Sequence, residues 1–146
     1  MTNQGEYVAS TWDWVAEQVE AYERSGGTEA NTLRDSGIPI IVMTCTGQKS
    51  GAIRKVPLMR VEHEGDYALV ASKGGSPEHP GWYHNLVADP SIMMQDGPEP
   101  FAATAEMVTG DERAAWWERA VAVFPTYTEY MEKTDREIPV FVTRRT

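Results

Sequence analysis

The chain is poor in the residues that carry metal and redox chemistry. Of its 146 residues only one is cysteine, Cys45, and three are histidine. A lone cysteine excludes an internal disulfide and any multi-cysteine metal site. His63, His79 and His84 show no paired ligand spacing, so hydrogen-bonding roles are expected of them and no metal is. No apolar run approaches the ~18 residues that cross a bilayer. Met1 to Glu6 has neither the basic start nor the apolar core of a signal peptide, and a cytoplasmic protein is expected. Neither a phosphate-binding P-loop nor a G-x-G-x-x-G dinucleotide fingerprint is present, and Ser72 lacks the G-x-S-x-G setting of a nucleophile. Chemistry must therefore come largely from a bound cofactor.

Positive charge is also scarce: 13 Lys and Arg stand against 22 Asp and Glu, a net −9. That balance argues against nucleic acid as a partner. The scarcity is uneven. Residues 36–61 contain no acid at all, yet hold Lys49, Arg54, Lys55 and Arg60. A basic island in an acidic chain points to a local anionic ligand, whereas a solvated strand face is the plainer alternative.

Length and an apolar content of 41% suit one domain, read as an N-terminal helix and connector over 1–37 and a barrel over 38–146. Ser10 to Arg24 reads as a helix capped by Ser10, with Trp12, Val15, Val19 and Tyr22 at helical spacing. Its acidic outer face has the wrong sign for anionic lipid, which weighs against membrane attachment. Strands are expected over 38–44, 56–62, 67–72, 91–95, 101–108 and 138–143, with a hairpin turn at residues 63–66. Thr109 and Glu112 have capping-box spacing before a helix over 111–124, and Pro125 suits the start of another through Thr134. Trp116, Trp117 and Phe124 read as core. Six short antiparallel strands with helices outside predict a small, mainly β barrel.

One stretch organises the rest. An apolar strand ends at Ala71, a Gly/Pro-rich loop follows, and Trp82 to Val87 reads as a short helix. That order aims backbone N–H groups and a positive helix end at one place.

Four ordered segments carry a family likeness: Thr46-Gly47-Gln48-Lys49-Ser50-Gly51, Arg54-Lys55-Val56-Pro57-Leu58, Ala71-Ser72-Lys73-Gly74-Gly75 and Pro80-Gly81-Trp82-Tyr83-His84-Asn85. Together with Pro125 to Tyr130 and Lys133 to Val140, they resemble the deazaflavin-dependent nitroreductases and F420H2-dependent quinone reductases of actinobacteria. The resemblance implies a split β-barrel that binds coenzyme F420 and reduces a quinone, nitroaromatic or activated alkene. It implies that Gln48, Lys49, Ser50, Arg54, Lys55, Val56, Pro57 and Leu58 hold the cofactor's phosphate and acidic tail. Val70, Ala71, Ser72 and Lys73 would run along the ring, with Gly81, Trp82, Tyr83, His84 and Asn85 beside it. Tyr127, Tyr130 and Ser72 would face the acceptor. Gln48 and Phe124 depart from the Arg and Tyr common in the family, which bears on substrate choice. An FMN-dependent split-barrel oxidoreductase and a non-catalytic F420 carrier are the alternatives, and a homodimer is expected by analogy with split barrels.

Overall fold

The structure, a computed structural model, describes residues 5–33 and 36–146. Met1 to Gln4, read above for a leader, and part of the connector, residues 34 and 35, lie outside them. Seven antiparallel strands form one sheet: β1 (Ile40–Thr46), β2 (Ile53–Met59), β3 (Glu62–His63), β4 (Asp66–Val70), β5 (Ser91–Gln95), β6 (Pro100–Met107) and β7 (Val140–Arg145). Four helices accompany them: α1 (Asp13–Ser25), α2 (Gly81–Ala88), α3 (Gly110–Val123) and α4 (Tyr127–Lys133).

The sheet order is β2-β1-β5-β6-β7-β4-β3. The two edge strands, β2 and β3, are separated in the chain only by Arg60 and Val61. A link that short reaches at most about 10 Å, so the sheet must curl until its two edges meet. The link is tied to both sides: the Arg60 N–H donates to the Pro39 carbonyl and the Ala68 N–H to the Val61 carbonyl, each at 2.9 Å. This is the expected small antiparallel barrel with helices packed outside, built of seven strands where six were expected. The expected strand over 56–62 is corrected, because it changes partner midway: its first part pairs with β1 and residues 62–63 pair with β4.

Period-two alternation fills both faces of the sheet. Ile41, Met43 and Cys45 of β1, Tyr67 and Leu69 of β4, Ile92 and Met94 of β5 and Phe141 of β7 point into the barrel, where Trp82 and Leu86 of α2 close one end. Their neighbours Ala68, Val70, Val140 and Val142 face outward beneath Trp116, Ala120 and Tyr127 of α3 and α4. Each large side chain so buried stabilises the fold by about 1.5–3 kcal/mol. Ile40 and Val42 meet Val19 and Tyr22 of α1 on the far side of β1.

Local signals were partly overruled. α1 begins three residues after Ser10, whose Oγ accepts from the Trp12 N–H (3.1 Å), and Trp12 is 64% exposed. Gln18 takes a place in the packed face, donating to the Ala30 and Thr32 carbonyls. The helix stops at Gly26, whose positive φ of 64° suits an αL cap. The Thr109–Glu112 capping box does not form; Glu112 instead accepts from Arg144 at 2.6 Å. Met107 is exposed at the end of β6, although it shares its face with the buried Ala103 and Ala105.

Candidate functional site

The turn at residues 46–51 and strand β2 carry the basic island. Strand geometry sends successive side chains to opposite faces. Arg54, paired across from Cys45, points to the barrel side with Val56 and Leu58, which pack on the interior. Lys55, paired across from Thr44, points toward α1. There its Nζ donates to both carboxylate oxygens of Glu23 at 2.9 Å and lies 4.8 Å above the Tyr7 ring. Arg60 is likewise engaged, donating from Nε to Asp96 at 2.9 Å. Asp96 also accepts the Tyr67 hydroxyl, whose pKa burial and that carboxylate push up to about 12. Two of the island's four cations are thus neutralised by acids distant in the chain. Among the described residues, Lys49 and Arg54 form no ion pair.

These two cations border a cleft of about 450 Å³. Gln48, Ser50 and Val56 line it from the turn and β2, and Gly81, Trp82, His84 and Asn85 line it from the start of α2. Lys55, held by Glu23, lines it as well. No Asp or Glu is among its lining residues, in a chain of net charge −9. α2 starts after Pro80 with no side-chain cap and no acid in its first turn, so its N-terminal N–H groups and positive dipole end remain available to an anion. Asn85 joins the two walls: its Oδ1 accepts the Gln48 N–H (3.0 Å) and its Nδ2 faces the Cys45 sulfur at 3.6 Å. Cys45 lies fully buried under the cleft, and burial raises its thiol pKa, which keeps it protonated.

The remaining candidates gather elsewhere or pack away. Val70, Ala71 and Ser72 are buried at the end of β4, and Lys73 is exposed at the head of a tight 3₁₀ turn, Lys73–Gly75. α4 lies directly against that turn: a Cβ on Gly75 would come within 2.9 Å of the Tyr130 carbonyl oxygen. Tyr127 is 3% exposed, edge-on to Phe124 at 5.0 Å and beside Trp117 and Tyr130. Burial, and to a lesser degree Tyr130, raise its pKa, so its phenol is neutral throughout the working range. Tyr130 is half-buried, with the Lys133 ammonium 5.5 Å over its ring. Tyr83 stacks on His79 at 4.0 Å, Leu58 packs on the barrel core, and Pro57 pairs with Val42 in the sheet.

An acid-free, cation-bordered cleft at a helix start beside a buried barrel suits an anionic cofactor. The sequence profile of the F420H(2)-dependent quinone reductase family matches residues 14–145. The chain belongs to that family. It is 37% identical over 110 residues to an F420H(2)-dependent quinone reductase of Mycobacterium tuberculosis, covering 73% of this chain and 74% of that one. The solved F420-H2 dependent reductase FDR-A is 53% identical, covers 73% of this chain and 94% of that one, and superposes with a TM-score of 0.69. A second solved structure, described as a domain-swapped dimer, is 49% identical with a TM-score of 0.72; the match covers 92% of this chain and all of that one. As a member of the F420H(2)-dependent quinone reductases, the chain is an oxidoreductase whose cofactor is reduced coenzyme F420.

Sequence reasoning missed Ser10 and Val15, which line the cleft from the N-terminal segment and α1, and Glu23, which occupies Lys55. Val15 was visible as part of an apolar helix face but carried no sign of which wall it would meet. Glu23 and Lys55 are 32 positions apart, beyond any local pattern.

Proposed function

We propose that the cleft between the 46–51 turn, β2 and the start of α2 holds the phosphate and carboxylate tail of reduced F420. Residues 70–73 flank its ring, and a quinone is reduced beside them. The observation that carries this reading is that, among the described residues, the lining holds no acid and Lys49 and Arg54 form no ion pair. Coenzyme F420 carries a phosphodiester and several carboxylates, and FMN lacks that acidic tail. The donor set therefore fits F420 better than FMN. Arg54 offers a planar fork and Lys49 a mobile point charge, supplemented by the Gln48 and Ser50 side chains and the first amides of α2.

When bound, the reduced deazaflavin supplies a hydride to an electron-poor acceptor. The chain binds the tail, holds the ring against the end of β4, and excludes water with the Trp82–Phe141–Tyr83 aromatic cluster. On the acceptor side stand Ser72, Tyr127 and Tyr130. Tyr127, kept neutral by burial, donates a hydrogen bond to a quinone oxygen and does not act as a base. Tyr130, with more surface, makes the broader contact. The reaction belongs in the cytoplasm, supported by the finding that no helix among the described residues is long and apolar enough to cross a membrane. A homodimer is supported by the 49% identical relative described as a domain-swapped dimer. A non-catalytic carrier is disfavoured by the reductase names of the relatives.

The test is a fluorescence-quench titration with F420 and FMN at low and high salt, followed by quinone reduction with reduced F420. Salt-sensitive F420 binding, weaker FMN binding and turnover are expected. Preference for FMN, or binding without turnover of any quinone, would overturn the reading. Tyr127→Phe should lower turnover by about fivefold, the loss of one neutral hydrogen bond, with cofactor affinity unchanged.

A further inference from the structure

The loop of residues 71–79 is gripped by a single side chain from outside it. Arg136 donates from Nη1 to the Ala71 carbonyl (3.2 Å), from Nη2 to the Ser72 carbonyl (2.8 Å) and from Nε to the Ser76 carbonyl (2.9 Å). Its Nη1 also faces His79 Nδ1 at 3.1 Å. Four of the five N–H donors of a guanidinium are thereby engaged by one loop. Three carbonyl oxygens turned toward one point repel each other unless a cation sits among them, and a planar fork meets them better than an ammonium.

The loop needs this grip. Lys73, Gly74 and Gly75 follow one another at φ of 46°, 63° and 80°, and Lys73 is not a glycine. Its own backbone closes only two bonds, Gly75 N–H to Ser72 and Ser76 N–H to Lys73. Arg136 touches backbone oxygens and His79; it does not line the cleft.

We propose that Arg136 is a positioning residue: it fixes the backbone of residues 71–76 against α4 and so sets where ring and acceptor meet, with His79 the acid-sensitive member of the clamp. The first part rests on the reading that residues 70–73 flank the ring. His79 Nδ1 accepts from Arg136 only when unprotonated, and a second cation at 3.1 Å would push the guanidinium away. The groups facing His79 are the Arg136 guanidinium, the His84 ring at 6.2 Å and the stacked Tyr83 ring. Among the described residues it has no carboxylate within ion-pair reach. Burial, then Arg136 and His84, lower its pKa. The clamp is therefore complete above about pH 6.5 and weakens as pH falls through the lowered value.

Hydrogen exchange at the Gly75 and Ser76 amides, on cofactor-free protein, tests the clamp directly. In Arg136→Gln these amides should exchange at least about tenfold faster, with a smaller gain in Arg136→Lys and unchanged rates in β1 and β5. Both variants should keep F420 affinity within about threefold while turnover falls about tenfold in Arg136→Gln, since the tail is held by other elements. In the unsubstituted protein the two amides should speed up on acidification, and His79→Asn, which keeps an acceptor that does not titrate, should abolish that acid limb. Unchanged amides in both Arg136 variants, or acceleration spread through the whole sheet, would overturn the positioning role. An acid limb surviving in His79→Asn would overturn the part assigned to His79. If the unsubstituted protein fails to bind F420, the ring reading falls, while the exchange data still decide whether the clamp exists.

Discussion

Two glycine-bearing loops, residues 46–51 and 71–79, each meet basic side chains and use them in opposite ways. At the first, among the described residues, Lys49 and Arg54 form no ion pair and stand in a lining that holds no carboxylate. At the second, Arg136 turns inward and is satisfied by the chain's own carbonyl oxygens. Lys55 and Arg60 show a third use, paired with Glu23 and Asp96. Sequence charge alone does not distinguish these fates. On the proposed reading, what separates a cation kept for a ligand from a structural one is which acceptors the fold brings within about 3 Å.

Four substitutions sharpen that contrast. The largest effect is expected at Gly75→Ala, where a Cβ meets the Tyr130 carbonyl oxygen at 2.9 Å and the backbone stays at φ 80°. Strain and crowding together should cost about 2–4 kcal/mol, read as a lowered midpoint in urea denaturation. A midpoint equal to that of the unsubstituted protein would mean that α4 does not press on the turn.

Next come Arg54→Ala and Lys55→Ala, compared side by side. Losing charge-assisted contacts worth about 1.5–3 kcal/mol, Arg54→Ala should weaken F420 binding by tenfold or more and flatten its salt dependence. Lys55→Ala should change binding by only about threefold, because Glu23 already holds that charge, and should cost stability by at most ~1 kcal/mol. Equal losses in the two titrations would erase the distinction between free and paired cations.

Tyr67→Phe should cost about 1 kcal/mol, the worth of its hydrogen bond to Asp96. The folded-state pKa of Tyr67, about 12, lies above its ordinary value of 10.0. Its contribution to stability is therefore full below about pH 10 and is lost as pH rises through 12. Tyr67→Phe should remove that alkaline loss from a series of melts recorded across pH 9 to about 12.

Elements governed by short-range pattern were legible. β5 has the bounds its apolar run suggests, and α2 and α3 lie within a residue of expectation. The turn between residues 63 and 66 closes a hairpin as its Glu-Gly centre predicts. Where the reading failed, the deciding partner was remote. Nothing near residue 60 says that β2 leaves β1 and hands the chain to β4. Glu112 is drawn from its cap by Arg144, 32 positions away. The cleft motifs could be read because each is a contiguous stretch, whereas the grip of Arg136 on residues 71–79 spans about sixty positions and leaves no periodic trace.

The place of β7 has a consequence for how the chain comes to be folded. Among the described strands, the last in sequence lies between β6 and β4 and pairs with both. Until it arrives, β1, β2, β5 and β6 can assemble as a curved ribbon, while the β3–β4 hairpin has nothing beside it but its two-residue tether. Ring closure is thus a late event that waits for β7, and the contacts it makes are among the longest in sequence. In the interval, the edge of β4 that β7 will cover is left with its backbone N–H and C=O groups unpaired, the kind of edge that templates pairing with another strand.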